Sequence, residues 1–181
     1  EIKNFNISNE PINANIKFKD VSFTYSETGI KALKNINLNI NQNETLGIFG
    51  KTGSGKSTIA NLLCRMYNND SGQITFGNTN IKKLNLFQLR RNIGYVPQDG
   101  FLFSGTINDN ISFGKDEKEN SKIIEAAAIA EITEEIDNFP DKYNTIIGER
   151  GVQLSGGQRQ RLSIARSIYM HPPIYIFDDC L

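Results

Sequence analysis

One stretch limits the folds open to this chain more than any other: Thr45–Ser57, TLGIFGKTGSGKS. Thr45–Gly50 is short, continuous and apolar, which is how a strand buried on both faces of a parallel sheet reads. The loop Gly50, Lys51, Thr52, Gly53, Ser54, Gly55, Lys56 and Ser57 follows it. IANLLCRMY comes next, with Ile59, Leu62, Leu63 and Met66 at helical spacing. Strand, glycine loop and helix in that order are the context in which a P-loop pattern binds phosphate. Glycines at 50, 53 and 55 let backbone N–H groups curl inward without Cβ clashes. A helix beginning near Lys56 adds its positive N-terminal end. Lys56 can set an ammonium on β- and γ-phosphates, the Ser57 hydroxyl can ligate Mg²⁺, and Thr58 can reach the α-phosphate.

A second apolar run, Ile174–Phe177, ends in two carboxylates, Asp178 and Asp179. Open parallel sheets bind ligands at the carboxyl ends of their strands. Asp178 is therefore the candidate to hold Mg²⁺, through water, because that ion keeps several waters. Asp179 occupies the position from which a base would address an attacking water. Its side chain is one methylene shorter than glutamate, a deficit of roughly 1.5 Å at most. A misplacement of about 1 Å costs on the order of 100-fold in rate, so Asp179 reads as a poor base.

Around these two points the chain alternates strand and helix signals, which argues for a sheet flanked by helices. Residues 1–15 are polar and without period, a linker or extended lead-in. Residues 16–99 carry a β region and the glycine-loop core. Within them Ile16, Phe18, Val21, Phe23 and Tyr25 alternate with one slip, and Leu33, Ile36, Leu38 and Ile40 nearly repeat the pattern. Residues 100–155 read as a mostly helical subdomain, with Lys122–Ile136 as two short helices or one broken helix. Residues 156–181 hold a helix, with Leu162, Ile164, Ala165 and Ile168 apolar, and then the final buried strand. Asn85–Arg91 is a short helix whose Arg90-Arg91 pair reads as a solvated face.

Charge separates the function classes. Twenty basic residues balance twenty acidic ones, so nothing electrostatic favours nucleic acid or an anionic membrane. The two cysteines, Cys64 and Cys180, form neither a disulfide framework nor a metal pattern, and Cys64 reads as core. A reducing, cytoplasmic setting is the expectation. No stretch reaches the roughly 18 apolar residues of a membrane span, and no signal peptide opens the chain.

The most specific string is LSGGQRQR, Leu154–Arg161. Read from its residues it is a second anion cradle: the Ser155 hydroxyl, the N–H groups of Gly156 and Gly157, and a helix N-terminus carrying Gln158. It resembles the signature of the ATP-binding cassette family. The resemblance runs from about residue 14 to the end of the chain, with every motif in family order. Tyr25 in VSFTY resembles the aromatic that stacks on adenine, and GKTGSGKS the Walker A loop. Gln98 in YVPQD resembles the glutamine that senses Mg²⁺ and the membrane domain. GERG, Gly148–Gly151, resembles the loop typical of exporters, and IYIFDD the Walker B strand. The implied fold is α/β: a P-loop NTPase core with a mostly parallel sheet, an antiparallel β region and a helical subdomain bearing the signature.

The resemblance also implies a function and partners. The chain would bind and hydrolyse ATP with Mg²⁺, with Lys56, Gln98 and Asp179 at the reaction and Ser57, Gln98 and Asp178 at the metal. It would pair head-to-tail with a second nucleotide-binding domain, in a homodimer or heterodimer, and drive a transmembrane domain of the same transporter. It would act at the cytoplasmic face of the cell (inner) membrane through that domain, the fragment itself being soluble. The family's usual glutamate is Asp179 here, so a second reading is the degenerate, regulatory half of a heterodimeric exporter. A cassette ATPase acting on chromosomes or ribosomes fits less well, because no coiled coil or basic insertion is present. The family's segments after Walker B, including its switch histidine, are expected to be missing beyond Leu181. His171 reads as a surface residue.

Overall fold

The computed structural model describes residues 2, 12–113, 118–148 and 151–179. The chain is α/β and divides into two compact units, Glu1–Ile93 and Gly94–Leu181.

The first unit is built on an antiparallel sheet. Strand β1 (Ile16–Thr24) lies between β2 (Lys31–Ile40) and β3 (Ser71–Phe76), and the short β4 (Thr79–Asn80) closes the order β2-β1-β3-β4. Phe18 pairs with Leu38 and Val21 with Ile36, and the register shifts between these two pairs. That shift is the slip visible in the alternation of β1. Asp20 sits there with φ 50°, and its N–H donates to Asn37 Oδ1 at 3.0 Å while Asn37 Nδ2 returns a bond to Asp20 Oδ1. The bulge restores the buried phase for Val21 and Phe23. Opposite it, a Cβ on Gly72 would fall 2.3 Å from the Asp20 carbonyl oxygen, and φ there is +75°. Only glycine fits where the bulged backbone presses so closely.

Helix α1 (Lys56–Leu63) buries Thr58, Ala60, Leu62 and Leu63. It ends at Cys64 because Arg65 turns left-handed at φ 47°, so Met66 leaves the helix face and is exposed. Cys64 is core as expected, and burial pushes its thiol up to about 11. Helix α2 (Leu86–Arg91) starts on Asn85, whose side chain accepts from the N–H groups of Phe87 and Gln88. Arg90 is not simply solvated. Its guanidinium donates to the carbonyls of Cys64 and Arg65, both at 3.1 Å, and so caps the C-terminal end of α1.

Thr45–Gly50 departs from its sequence reading. It forms no strand and joins none of the described sheets. Leu46 and Ile48 are exposed and Phe49 is 95% exposed. A run of this kind needs paired neighbours on both sides to bury its side chains, and among the described residues none pairs with it.

In the second unit β5 (Ile93–Val96) pairs with β8 (Ile174–Phe177) in a two-stranded sheet. Strand β8 forms where expected, but Tyr175 and Phe177 are exposed rather than buried, since β5 is its one described neighbour. A short antiparallel pair, β6 (Gly105–Thr106) with β7 (Ile146–Ile147), brackets the helices α3 (Ile107–Ile111), α4 (Asn120–Ile129) and α5 (Thr133–Asp137). Of the two readings for Lys122–Ile136, two helices is the outcome; Glu131, at φ 53°, breaks the run. Their apolar faces meet helix α6 (Gly156–Tyr169) in a core of Ile107, Ile123, Ile136, Ile147, Leu162 and Ala165. Ile164 and Ile168 pack at its margin. Pro172 and Pro173 follow the end of α6, and His171 is exposed. Arg166 of α6 ties the loop before β6 to α3: it donates to the carbonyls of Phe101 and Asn110 and to Asn110 Oδ1, all within 2.9 Å. Burial holds this guanidinium down to about 10.

Candidate functional site

In the first unit the loop from Gly50 to Ser57 is shaped by its own backbone. A Cβ on Gly50 would lie 2.7 Å from Ser54 Oγ, and one on Gly55 would lie 2.5 Å from the Ala32 carbonyl oxygen. Gly53 and Gly55 take φ values of +77° and +94°, which side chains other than glycine's adopt at a cost. Lys56 reaches back over the loop, and its Nζ donates to the carbonyls of Gly50 at 2.9 Å and Lys51 at 3.1 Å. The ammonium is thus held at the mouth of the cradle. Helix α1 begins at Lys56 with no side-chain cap and no acidic residue in its first turn. No acidic side chain competes there with an anion for the helix's positive end.

Tyr25 and Thr58 meet beside this cradle. The Tyr25 hydroxyl lies 3.0 Å from Thr58 Oγ1, and Thr58 is 4% exposed. Phe23 and Tyr67 stand edge-on to the Tyr25 ring, with centroids at 4.9 and 5.3 Å. The sequence marked both residues but not their bond. Tyr25 and Thr58 are 33 positions apart in sequence, and only the folded unit brings them together. Ser57 is exposed at the start of α1.

In the second unit the end of β5 clasps the end of β8. The Asp178 N–H donates to the Val96 carbonyl at 3.0 Å. The Tyr95 hydroxyl donates to Asp178 Oδ2 at 3.2 Å, and Gln98 Nε2 donates to Asp179 Oδ2 at 3.2 Å. The structure therefore brings Gln98, Asp178 and Asp179 together. It adds Tyr95, which sequence reasoning missed. A tyrosine in a strand reads as packing, and nothing in the sequence says that β5 is the neighbour of β8.

The third part is the start of α6. Ser155 is its N-cap: Ser155 Oγ accepts from the Gln158 N–H at 3.2 Å, and Gln158 Oε1 accepts from the Ser155 N–H at 2.9 Å. This reciprocal capping box fixes the turn. Gly156 and Gly157 stand in open surroundings. A Cβ on Gly156 would meet nothing closer than 4.0 Å, and one on Gly157 would meet only the tip of Arg161 at 3.5 Å. Behind them Arg159 Nη1 donates to the Leu154 carbonyl at 2.6 Å, and Arg161 is paired with Glu135. In GERG, Glu149 and Arg150 lie outside the described residues.

Among the described residues no helix is long and apolar enough to cross a membrane. Nor, among the described residues, does any group of three or more His, Cys, Asp or Glu converge. The hydroxyl of Ser57 in the first unit, and the carboxamide of Gln98 and carboxylate of Asp178 in the second, offer oxygen donors. That is the donor set Mg²⁺ accepts when a nucleotide supplies phosphate oxygens.

Comparisons with known proteins identify the family. The family model described as ABC transporter matches residues 33–181. The uncharacterized ABC transporter ATP-binding protein YfiB of Bacillus subtilis is 45% identical over 93% of this chain and 29% of its own length. Human ATP-binding cassette sub-family B member 5 is 43% identical over 94% of this chain and 14% of its own. A solved bacterial Atm1-family ABC exporter with ATP bound matches with a TM-score of 0.90 and 35% identity, over 99% of this chain and 32% of that one. The chain thus spans less than a third of each protein it resembles. Because the family model extends from Leu33 to Leu181 and takes in all three loops, the chain belongs to the ABC transporter family.

Proposed function

We propose that this chain is the ATP-binding and ATP-hydrolysing domain of an exporter, working with Mg²⁺ and coupled to a transmembrane domain of the same transporter. The observation that carries the reading is the cradle of the first unit: glycines in tight or left-handed positions, an uncapped helix start, and Lys56 bent over the loop mouth. The resemblance to an exporter with ATP bound supports ATP as the nucleotide and export as the direction. The transported substrate would meet the membrane domain, not this chain.

In this reading the loop N–H groups take the phosphates, and Lys56 exchanges its two carbonyl partners for β- and γ-phosphate oxygens. Tyr25 supports the base and Thr58 lies toward the α-phosphate. As the family resemblance implies, Ser57, Gln98 and Asp178 would hold Mg²⁺, and that ion would supply positive charge to the phosphates. Ser155, Gly156, Gly157 and Gln158 cover the nucleotide of a second nucleotide-binding domain, head-to-tail. Among the described residues nothing crowds a Cβ at Gly156 or Gly157, which supports an approach from outside. The assembly works at the cytoplasmic face of the membrane, and the helical subdomain at 100–155 relays closure. Lys56→Ala tests the assignment: ATP affinity in equilibrium binding should fall by more than tenfold. Unchanged affinity would reject it.

A second reading rests on Asp179. Its carboxylate is short and already bonded to Gln98, which favours a site that binds ATP and turns it over slowly. Asp179→Glu in the whole transporter should raise turnover at least tenfold. An equal rate would remove the length argument.

A further inference from the structure

We infer that Asp179 is a positioning residue for Gln98, fixing which end of the Gln98 carboxamide faces an incoming cation. The inference rests on the nucleotide and Mg²⁺ reading above and adds a role for the short carboxylate.

The two ends of a glutamine side chain have nearly the same shape and opposite chemistry: the oxygen accepts and the NH₂ group donates. A free carboxamide turns either end toward a site, and only the oxygen can ligate a metal. A carboxylate accepts only, so the Gln98 group next to Asp179 Oδ2, at 3.2 Å, must be the NH₂. The same bond turns Oε1 away from Asp179. Among the described residues that oxygen accepts no hydrogen bond, so it is one hard donor at this strand tip, beside the carboxylates.

The clasp is well founded on the backbone. The Asp178 N–H bond to Val96 sets the two chain ends side by side, and Tyr95 restrains Asp178 Oδ2 from the same strand that leads into Gln98. Asp179 itself is left-handed, with φ 52°. Aspartate and asparagine tolerate that conformation better than longer side chains. A bent backbone and a short acceptor thus go together at this position. The bond joins a carboxylate to an amide and is charge-assisted. Its use is orientation: one of two carboxamide flips is excluded before the metal arrives.

The test reads Mg²⁺ dependence rather than turnover. ATP binding to the purified protein is titrated with Mg²⁺, and Mn²⁺ electron paramagnetic resonance reports the bound ion in parallel. Asp179→Ala should raise the half-saturating Mg²⁺ about tenfold or more, in the manner of metal-site partners. Gln98→Ala should raise it at least as much. The double variant should resemble Gln98→Ala alone, because Asp179 acts only through Gln98. ATP affinity without metal, and the thermal midpoint without nucleotide, should stay at wild-type values. A purely structural role would move those two and leave the Mg²⁺ midpoint alone. An unshifted midpoint in Asp179→Ala, or effects that add in the double variant, would overturn the inference while leaving the nucleotide reading standing. Wild-type protein that binds ATP with no response to Mg²⁺ would overturn both.

Discussion

Tyr25 does two jobs at once, and they can be separated. Its ring is braced edge-on by Phe23 and Tyr67, while its hydroxyl meets Thr58 on the first turn of α1. Stacking of a base on an aromatic ring is worth about 1–3 kcal/mol by alanine substitution, and a neutral hydrogen bond about 0.5–1.5 kcal/mol. Tyr25→Ala should therefore weaken ATP binding by about 1–3 kcal/mol. Tyr25→Phe should leave affinity within about 1 kcal/mol and lower the thermal midpoint slightly, because Thr58 loses its partner in a buried position. Fluorescent-nucleotide binding and a thermal melt on the same samples check both. Equal loss in the two variants would mean that the hydroxyl, not the ring, carries the contact.

Among the elements, the short helix α3 shows how local chemistry fixes a boundary. Thr106 caps it in a reciprocal box with Asp109. The hydrogen bond from Lys118, then those from the Thr106 hydroxyl and N–H, hold the Asp109 carboxyl down to about 2, from 3.8. A carboxyl depressed in the folded state stabilises the fold above its unfolded value, and that contribution is lost as pH falls through the folded value. Wild type should therefore be more stable than Asp109→Asn at pH 7, and the gap should close between about pH 4 and pH 2. Urea melts across that window read the gap directly; a gap independent of pH would place the effect elsewhere. The α3 box was not marked from sequence, although T-x-x-D before an apolar residue is a cue for one. Other boundaries were legible: Asn85 at the start of α2, and the slip in β1 that became the bulge at Asp20. Thr45–Gly50 was misread because burial on both faces is a property of neighbouring strands, and a run of apolar residues does not state that those neighbours are present. The partner of a strand is equally silent in sequence, which is why Asp178 and Gln98 were found and Tyr95 was not.

At the scale of the whole molecule, the glycines divide into those the chain needs and those it does not. Gly50, Gly55 and Gly72 each have a backbone or side-chain atom where a Cβ would stand. Gly156 and Gly157 have none that is tight, and they occupy the first turn of a helix, where alanine is better by up to about 1 kcal/mol each. A chain folding for itself alone gains from alanine at both positions. Retaining glycine there is a cost to stability, and it makes sense if another surface must approach that backbone closely. A head-to-tail partner presenting its nucleotide to the start of α6 is such a surface. Gly156→Ala and Gly157→Ala should therefore raise the thermal midpoint or leave it unchanged. They should also leave ATP binding to the chain's own cradle intact, and lower turnover of the assembled transporter by tenfold or more. Melting, equilibrium binding and turnover separate these effects, because the cradle at Gly50–Ser57 is not touched by either change. Full turnover with a raised midpoint would show that nothing approaches the Ser155–Gly157 turn, and the paired arrangement would have to be given up.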